Sequence, residues 1–114
     1  MVFLIVDDNS DARKIIREIL GGKNNKIFEC SDGQQAIELY KTYKPDWVLM
    51  NIKMQNIDGI TATKKIIKEF PNAKVIIMTS YNNTYLKINA EKAGAKAFVL
   101  KDSLITLNSI IQRD

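Results

Sequence analysis

Four apolar runs, each ending in a polar residue able to do chemistry, constrain this chain more than any other feature. Phe3-Leu4-Ile5-Val6 runs into Asp7-Asp8, and Trp47-Val48-Leu49-Met50 runs into Asn51. Lys74-Val75-Ile76-Ile77-Met78 leads to Thr79-Ser80, and Ala97-Phe98-Val99-Leu100 leads to Lys101. Short continuous apolar runs bounded by turn residues are the pattern of strands buried on both faces. The intervening segments have helical length, so the chain reads as five repeats of strand then helix. In a parallel sheet the four polar ends meet on one edge, where open α/β folds bind their ligands.

The helices follow from periodicity and punctuation. A first helix over residues 11–20 places Ala12, Ile15, Ile16, Ile19 and Leu20 on one face, and Gly21-Gly22 stops it. A strand over residues 26–30 leads to Ser31-Asp32-Gly33-Gln34, which has the spacing of a capping box from Ser31 to Gln34. The helix that follows runs to Tyr43, and Pro45 separates it from the next strand. Asp58 is the expected N-cap of a helix that turns Ile60, Thr63, Ile67 and Phe70 inward and ends at Pro71. The helix over 84–93 has the weakest apolar periodicity, with Leu86, Ala90 and Ala93 as its inward residues, and weak burial implies local mobility. A last helix over 104–112 buries Leu104, Leu107 and Ile111.

Composition excludes several classes. A chain of 114 residues holds one ordinary domain. No apolar run approaches the ~18 residues of a membrane span, and no basic-apolar leader precedes the first strand. A cytoplasmic protein without membrane contact is therefore expected. The single cysteine, Cys30, cannot form an internal disulfide and reads as a small buried residue at a strand end. The absence of histidine excludes a histidine phosphotransfer site in this chain. The net charge is +4, but the lysines are scattered over the helices, so no direct nucleic-acid binding is expected. An acidic edge on a basic background should focus cations into that edge. An enzyme of the haloacid-dehalogenase type would need Asp-x-Asp after the first strand, where this chain has Asp7-Asp8-Asn9. A nucleotide or flavin binder would need a glycine-rich or hydroxyl-rich phosphate cradle there. No enzyme activity is expected.

Together the four strand ends, with Asp58-Gly59 seven and eight residues after Asn51, resemble the receiver domain of two-component response regulators. The segment from Ala93 to Asp102, Ala-Gly-Ala-Lys-Ala-Phe-Val-Leu-Lys-Asp, is similar to the NarL/FixJ type. The resemblance implies a flavodoxin-like, doubly wound (βα)5 fold with a five-stranded parallel sheet in the order 2-1-3-4-5. It implies a single receiver domain over residues 1–114, with an effector domain outside this chain. It also implies a Mg²⁺ site formed by Asp7, Asp8, residue 51 and the backbone carbonyl of Lys53. Thr79 and Lys101 would contact a phosphoryl group, and Phe98 holds the position of a switch aromatic.

Asn51 stands where the resemblance calls for the phosphoacceptor aspartate. A neutral amide cannot form a stable acyl phosphate, so no phosphorylation is expected there, and no catalytic residue is assigned. Its oxygen can still ligate a cation, but the lost charge should weaken Mg²⁺ binding or abolish it. Lys101, without a partner at 51, is expected to turn to Asp7 or Asp8, with Asp8 the specific hypothesis. Gln55 replaces a usual proline, which leaves its loop less constrained, and Asp102 replaces another, so the bond after Lys101 should be trans. The resulting expectation is an atypical receiver in two-component signalling or transcription regulation. It would act through contacts with an effector domain or partner protein, self-association through its last strand and helices included. A sensor histidine kinase stays among the implied partners, without transfer to residue 51. The alternative is a conventional phosphorelay receiver whose aspartate at 51 was exchanged for asparagine by an experimenter.

Overall fold

Alternation along the central strands decides the architecture. In the computed structural model, which describes residues 1–113, β1 (Val2–Val6), β3 (Trp47–Asn51) and β4 (Val75–Thr79) are almost wholly buried. They lie between two edge strands, β2 (Lys26–Cys30) and β5 (Ala97–Leu100). All pairings are parallel, and the order is β2-β1-β3-β4-β5, as the resemblance implied. Asp114 lies outside the described residues, so the expected domain extent is seen only to residue 113.

Because strand residues point alternately to opposite faces, the sheet feeds two cores. Leu4, Val6, Val48, Met50 and Ile77 pack against α2 (Gly33–Tyr43), α3 (Gly59–Glu69) and α4 (Thr84–Lys92) through Ala36, Tyr40, Ala62, Ile66 and Ala90. Phe3, Ile5, Leu49, Ile76 and Met78 face α1 (Ser10–Leu20) and α5 (Leu107–Arg113) through Ile16, Leu20, Leu107 and Ile111. Among the described residues no helix is long and apolar enough to cross a membrane.

Each of the first four helices begins with an Asx cap whose side-chain oxygen accepts a backbone N–H three residues on. Asn9 caps through Ala12, Asp32 through Gln35, Asp58 through Thr61 and Asn83 through Leu86. Asp58 is the cap the sequence suggested. The Ser31–Gln34 box is not formed: the Asp32 carboxylate takes the cap, accepting from Gln35 N at 2.8 Å, and Gln35 Oε1 accepts from Ser31 N at 3.1 Å. The first helix starts at Ser10, and Ile15 is half exposed rather than inward. It stands about 100° around the helix from Ile16, and the narrow contact with the sheet is filled by Ile16 and Leu20. The last helix is also revised: residues Lys101–Thr106 form a 3-10 helix, with non-helical backbone at Ser103, before α5 begins. This tighter turn drops Leu104 into the core while Lys101 faces back towards the sheet edge. The described residues contain no cis peptide, so the bond after Lys101 is trans as expected.

Candidate functional site

Parallel pairing brings the carboxyl ends of β1, β3, β4 and β5 to one edge. Val6 lies opposite Met50, Asn51 opposite Met78, and Thr79 opposite Leu100, so Asp7, Asn51, Thr79 and Lys101 follow one another across the sheet. Asp7 is fully buried and Asp8, one residue on, is exposed. Lys101 reaches the buried acid: its Nζ is 2.6 Å from Asp7 Oδ2. The pairing hypothesised with Asp8 is therefore corrected to Asp7. An ammonium entering from β5 meets the carboxylate that points along the sheet, whereas Asp8 points to solvent.

The remaining groups around Asp7 hold it in place. Its Oδ1 accepts from Asn9 N at 3.0 Å, and its backbone carbonyl accepts from Arg13 Nη1 at 2.6 Å. Arg13 and Arg17 both pair with Glu29 on β2, which ties α1 across the edge strand. Arg13 was not foreseen as part of this site. The signal available was an arginine in the second turn of α1 with an acid on the next strand, too common a pattern to single out.

Asn51 is buried, and its amide Nδ2 donates to the Lys53 carbonyl at 2.8 Å. Only the amide nitrogen can make that contact, since two oxygens would repel. Gly59 fits here because α3 starts against the end of β3. Its N donates to the Ile52 carbonyl at 2.8 Å, and a Cβ would overlap the Asn51 carbonyl oxygen. The Asp58-Gly59 pair is thus a cap followed by a close approach of helix to strand. Thr79 is buried, and its Oγ1 accepts from Tyr81 N at 3.2 Å. Lys53 Nζ lies 4.2 Å from the Tyr81 ring centroid, a cation–π contact that joins the loops after β3 and β4. Gln55 stands with Asp8 and Asp32 at the mouth of the site, and Asn56 beside it adopts a left-handed φ of 65°. Phe98 is half-buried on β5, lining a groove beside Ala90 and Ala95 rather than the acidic edge itself.

The model of the response regulator receiver domain family matches residues 3–112. This chain belongs to that family. The receiver is 40% identical over 99 residues to the chemotaxis protein CheY of Thermotoga maritima, covering 86% of this chain and 82% of that one. It is 38% identical over 105 residues to the uncharacterized transcriptional regulatory protein YhcZ of Bacillus subtilis, covering 90% of this chain and 49% of that protein. Among solved structures it resembles a LuxR-family two-component response regulator from an Aurantimonas species. That likeness has a TM-score of 0.91 and 26% identity, and covers 98% of this chain and 82% of the other. Receiver domains are signalling proteins rather than classical enzymes, and they typically bind Mg²⁺.

In this receiver, Cys30 completes the surroundings of the edge without taking part. Burial pushes its thiol up from an ordinary 9.0 to about 12, so it stays protonated and inert at neutral pH.

Proposed function

We propose that this receiver works in two-component signalling or transcription regulation without an acyl phosphate at residue 51, through contacts with an effector domain or partner protein. The observation that carries the reading is the hydrogen bond from Asn51 Nδ2 to the Lys53 carbonyl. In this reading residue 51 is the substituted phosphoacceptor position, and its amide nitrogen occupies ground that a cation would share with that carbonyl. The Lys101–Asp7 pair acts in the same sense, since an ammonium already neutralises the buried acid.

The donor set consequently fits Mg²⁺ poorly. Asp8 is open, Asp7 is paired, the Lys53 carbonyl accepts from Asn51, and residue 51 offers one neutral oxygen. A unit charge about 4 Å from a divalent ion contributes on the order of 8 kcal/mol before desolvation, at an effective dielectric of about 20. Even a small net remainder is measurable. Calorimetric titration with Mg²⁺ is expected to show at least about tenfold weaker binding than for the Asn51→Asp variant, or about 1.4 kcal/mol. Equal affinities would sink this reading of the site.

Thr79, Lys101 and Phe98 belong to the same proposal, as the groups that would report the state of residue 51. Exposed Tyr85 and Ile88 on α4 and Ile105 after β5 support protein contacts on that side, self-association included. We assign residues 1–114 to one receiver domain of cytoplasmic location. A second reading has its own support. Asn51 is nearly isosteric with aspartate, and Asp7, Thr79 and Lys101 share its sheet edge with Asp8 exposed next to Asp7, which supports a conventional receiver whose acceptor was exchanged by an experimenter.

A further inference from the structure

Helix α3 packs along α2 but barely meets α4, which leaves an open groove between α3 and α4. Its floor is apolar, made by buried Ile52 and half-buried Ile60 and Leu86. Its rim is basic: Lys53, Lys64 and Lys92 are all exposed around it. The one carboxylate among the described lining residues, Asp58, is engaged as the cap of α3, accepting from Thr61 N and Thr61 Oγ1. The groove therefore presents a hydrophobic strip under three like charges.

From this charge and shape we propose that the α3–α4 groove docks an acidic amphipathic helix of a partner protein. Apolar side chains at i, i+3, i+4 and i+7 would fill the floor, and flanking carboxylates would meet the lysines. A second copy of this chain fits badly, because a two-fold contact would set the same lysines against each other. Nucleic acid would answer the charge but leave the Ile60–Leu86 floor uncovered. The groove also touches the site: Lys53 lines the groove while its carbonyl accepts from Asn51 Nδ2. A docked helix would thus feel what residue 51 does to that loop.

The test uses amide NMR spectra of the full chain with defined probes. One is a peptide of about four helical turns carrying a leucine stripe flanked by glutamates, and a second has the same composition scrambled. A third replaces its glutamates with lysines, and the fourth is a short DNA duplex. The expected result is binding of the first peptide alone, shifting the amides of Ile60, Lys64, Leu86 and Lys92. Binding should weaken about tenfold or more in the Lys64→Glu/Lys92→Glu variant, whose circular dichroism should match the parent. The proposal is overturned if the striped and scrambled peptides bind equally, or if the reversed variant binds as well. Shifts centred on Lys87 and Phe98 instead, or a stronger response of the same groove to DNA, would overturn it too.

Discussion

Replacing Lys101 with methionine is expected to destabilise the domain by about 3 kcal/mol, a fall in melting temperature on the order of 15 °C. The reason is asymmetry in the ion pair. Asp7 is completely shut off from solvent, while the Lys101 side chain is about one fifth exposed. Removing the ammonium leaves a buried carboxylate that, among the described residues, keeps the Asn9 N–H at its Oδ1. Breaking a buried pair from one side costs about 3 to 5 kcal/mol, and the partial exposure of Lys101 argues for the lower end. Adding Asp7→Asn to the Lys101→Met background should recover more than half of the loss, which a double-mutant cycle reads directly. Mg²⁺ should also raise the melting temperature of Lys101→Met more than that of the parent, since a cation would then replace the missing charge. A loss below about 1 kcal/mol would make the pair no stronger than an ordinary surface contact.

Gly59→Ala should be as damaging for a different reason. The added Cβ would overlap the Asn51 carbonyl oxygen, lie 2.8 Å from the Asn51 carbonyl carbon and lie 2.9 Å from Met50 Cγ. Two of those three atoms are backbone in a buried strand, so relief requires α3 to move off the end of β3. Overpacking of this kind costs about 1 to 3 kcal/mol and sometimes more, and we expect about 3 kcal/mol by chemical denaturation. Gly22→Ala is the matched control. Its Cβ would meet only the Asn25 side chain at 3.4 Å and beyond, so a change within about 0.5 kcal/mol is expected. Similar losses for both variants would mean that Gly59 is needed for something other than space.

The sheet could be read from the residues because burial on two faces leaves a continuous apolar run, and Val75–Thr79 or Trp47–Asn51 admits little else. The cap at Asp58 was equally plain, with a carboxylate placed just before an apolar periodic segment. The 3-10 start of the last helix was not, because Leu104, Leu107 and Ile111 fit a tight or an ordinary helix equally well. The Ser31 box failed for a related reason: two adjacent residues could each cap, and the carboxylate of Asp32 is the better acceptor. In the site, the four strand ends were brought together as expected, but the partner of Lys101 was not predictable. Asp7 and Asp8 are neighbours in sequence, and only the backbone direction at the end of β1 buries one and exposes the other. The Lys53–Tyr81 contact and the reach of Arg13 to the Asp7 carbonyl join segments far apart in the chain or across a turn, where no local spacing announces them.

The most direct measurement is the intact mass of this chain and of its Asn51→Asp variant after incubation with acetyl phosphate and Mg²⁺, side by side. No phosphoryl group should be added to the unaltered chain under conditions where an established receiver is fully modified. A phosphoryl group on the variant alone would show that the site lacks only its nucleophile, which favours a conventional receiver with an exchanged residue. No modification of either chain, with Mg²⁺ binding confirmed in both, would show remodelling beyond residue 51 and favour an interaction module. A hydroxylamine-sensitive phosphoryl group on the unaltered chain would contradict the account outright.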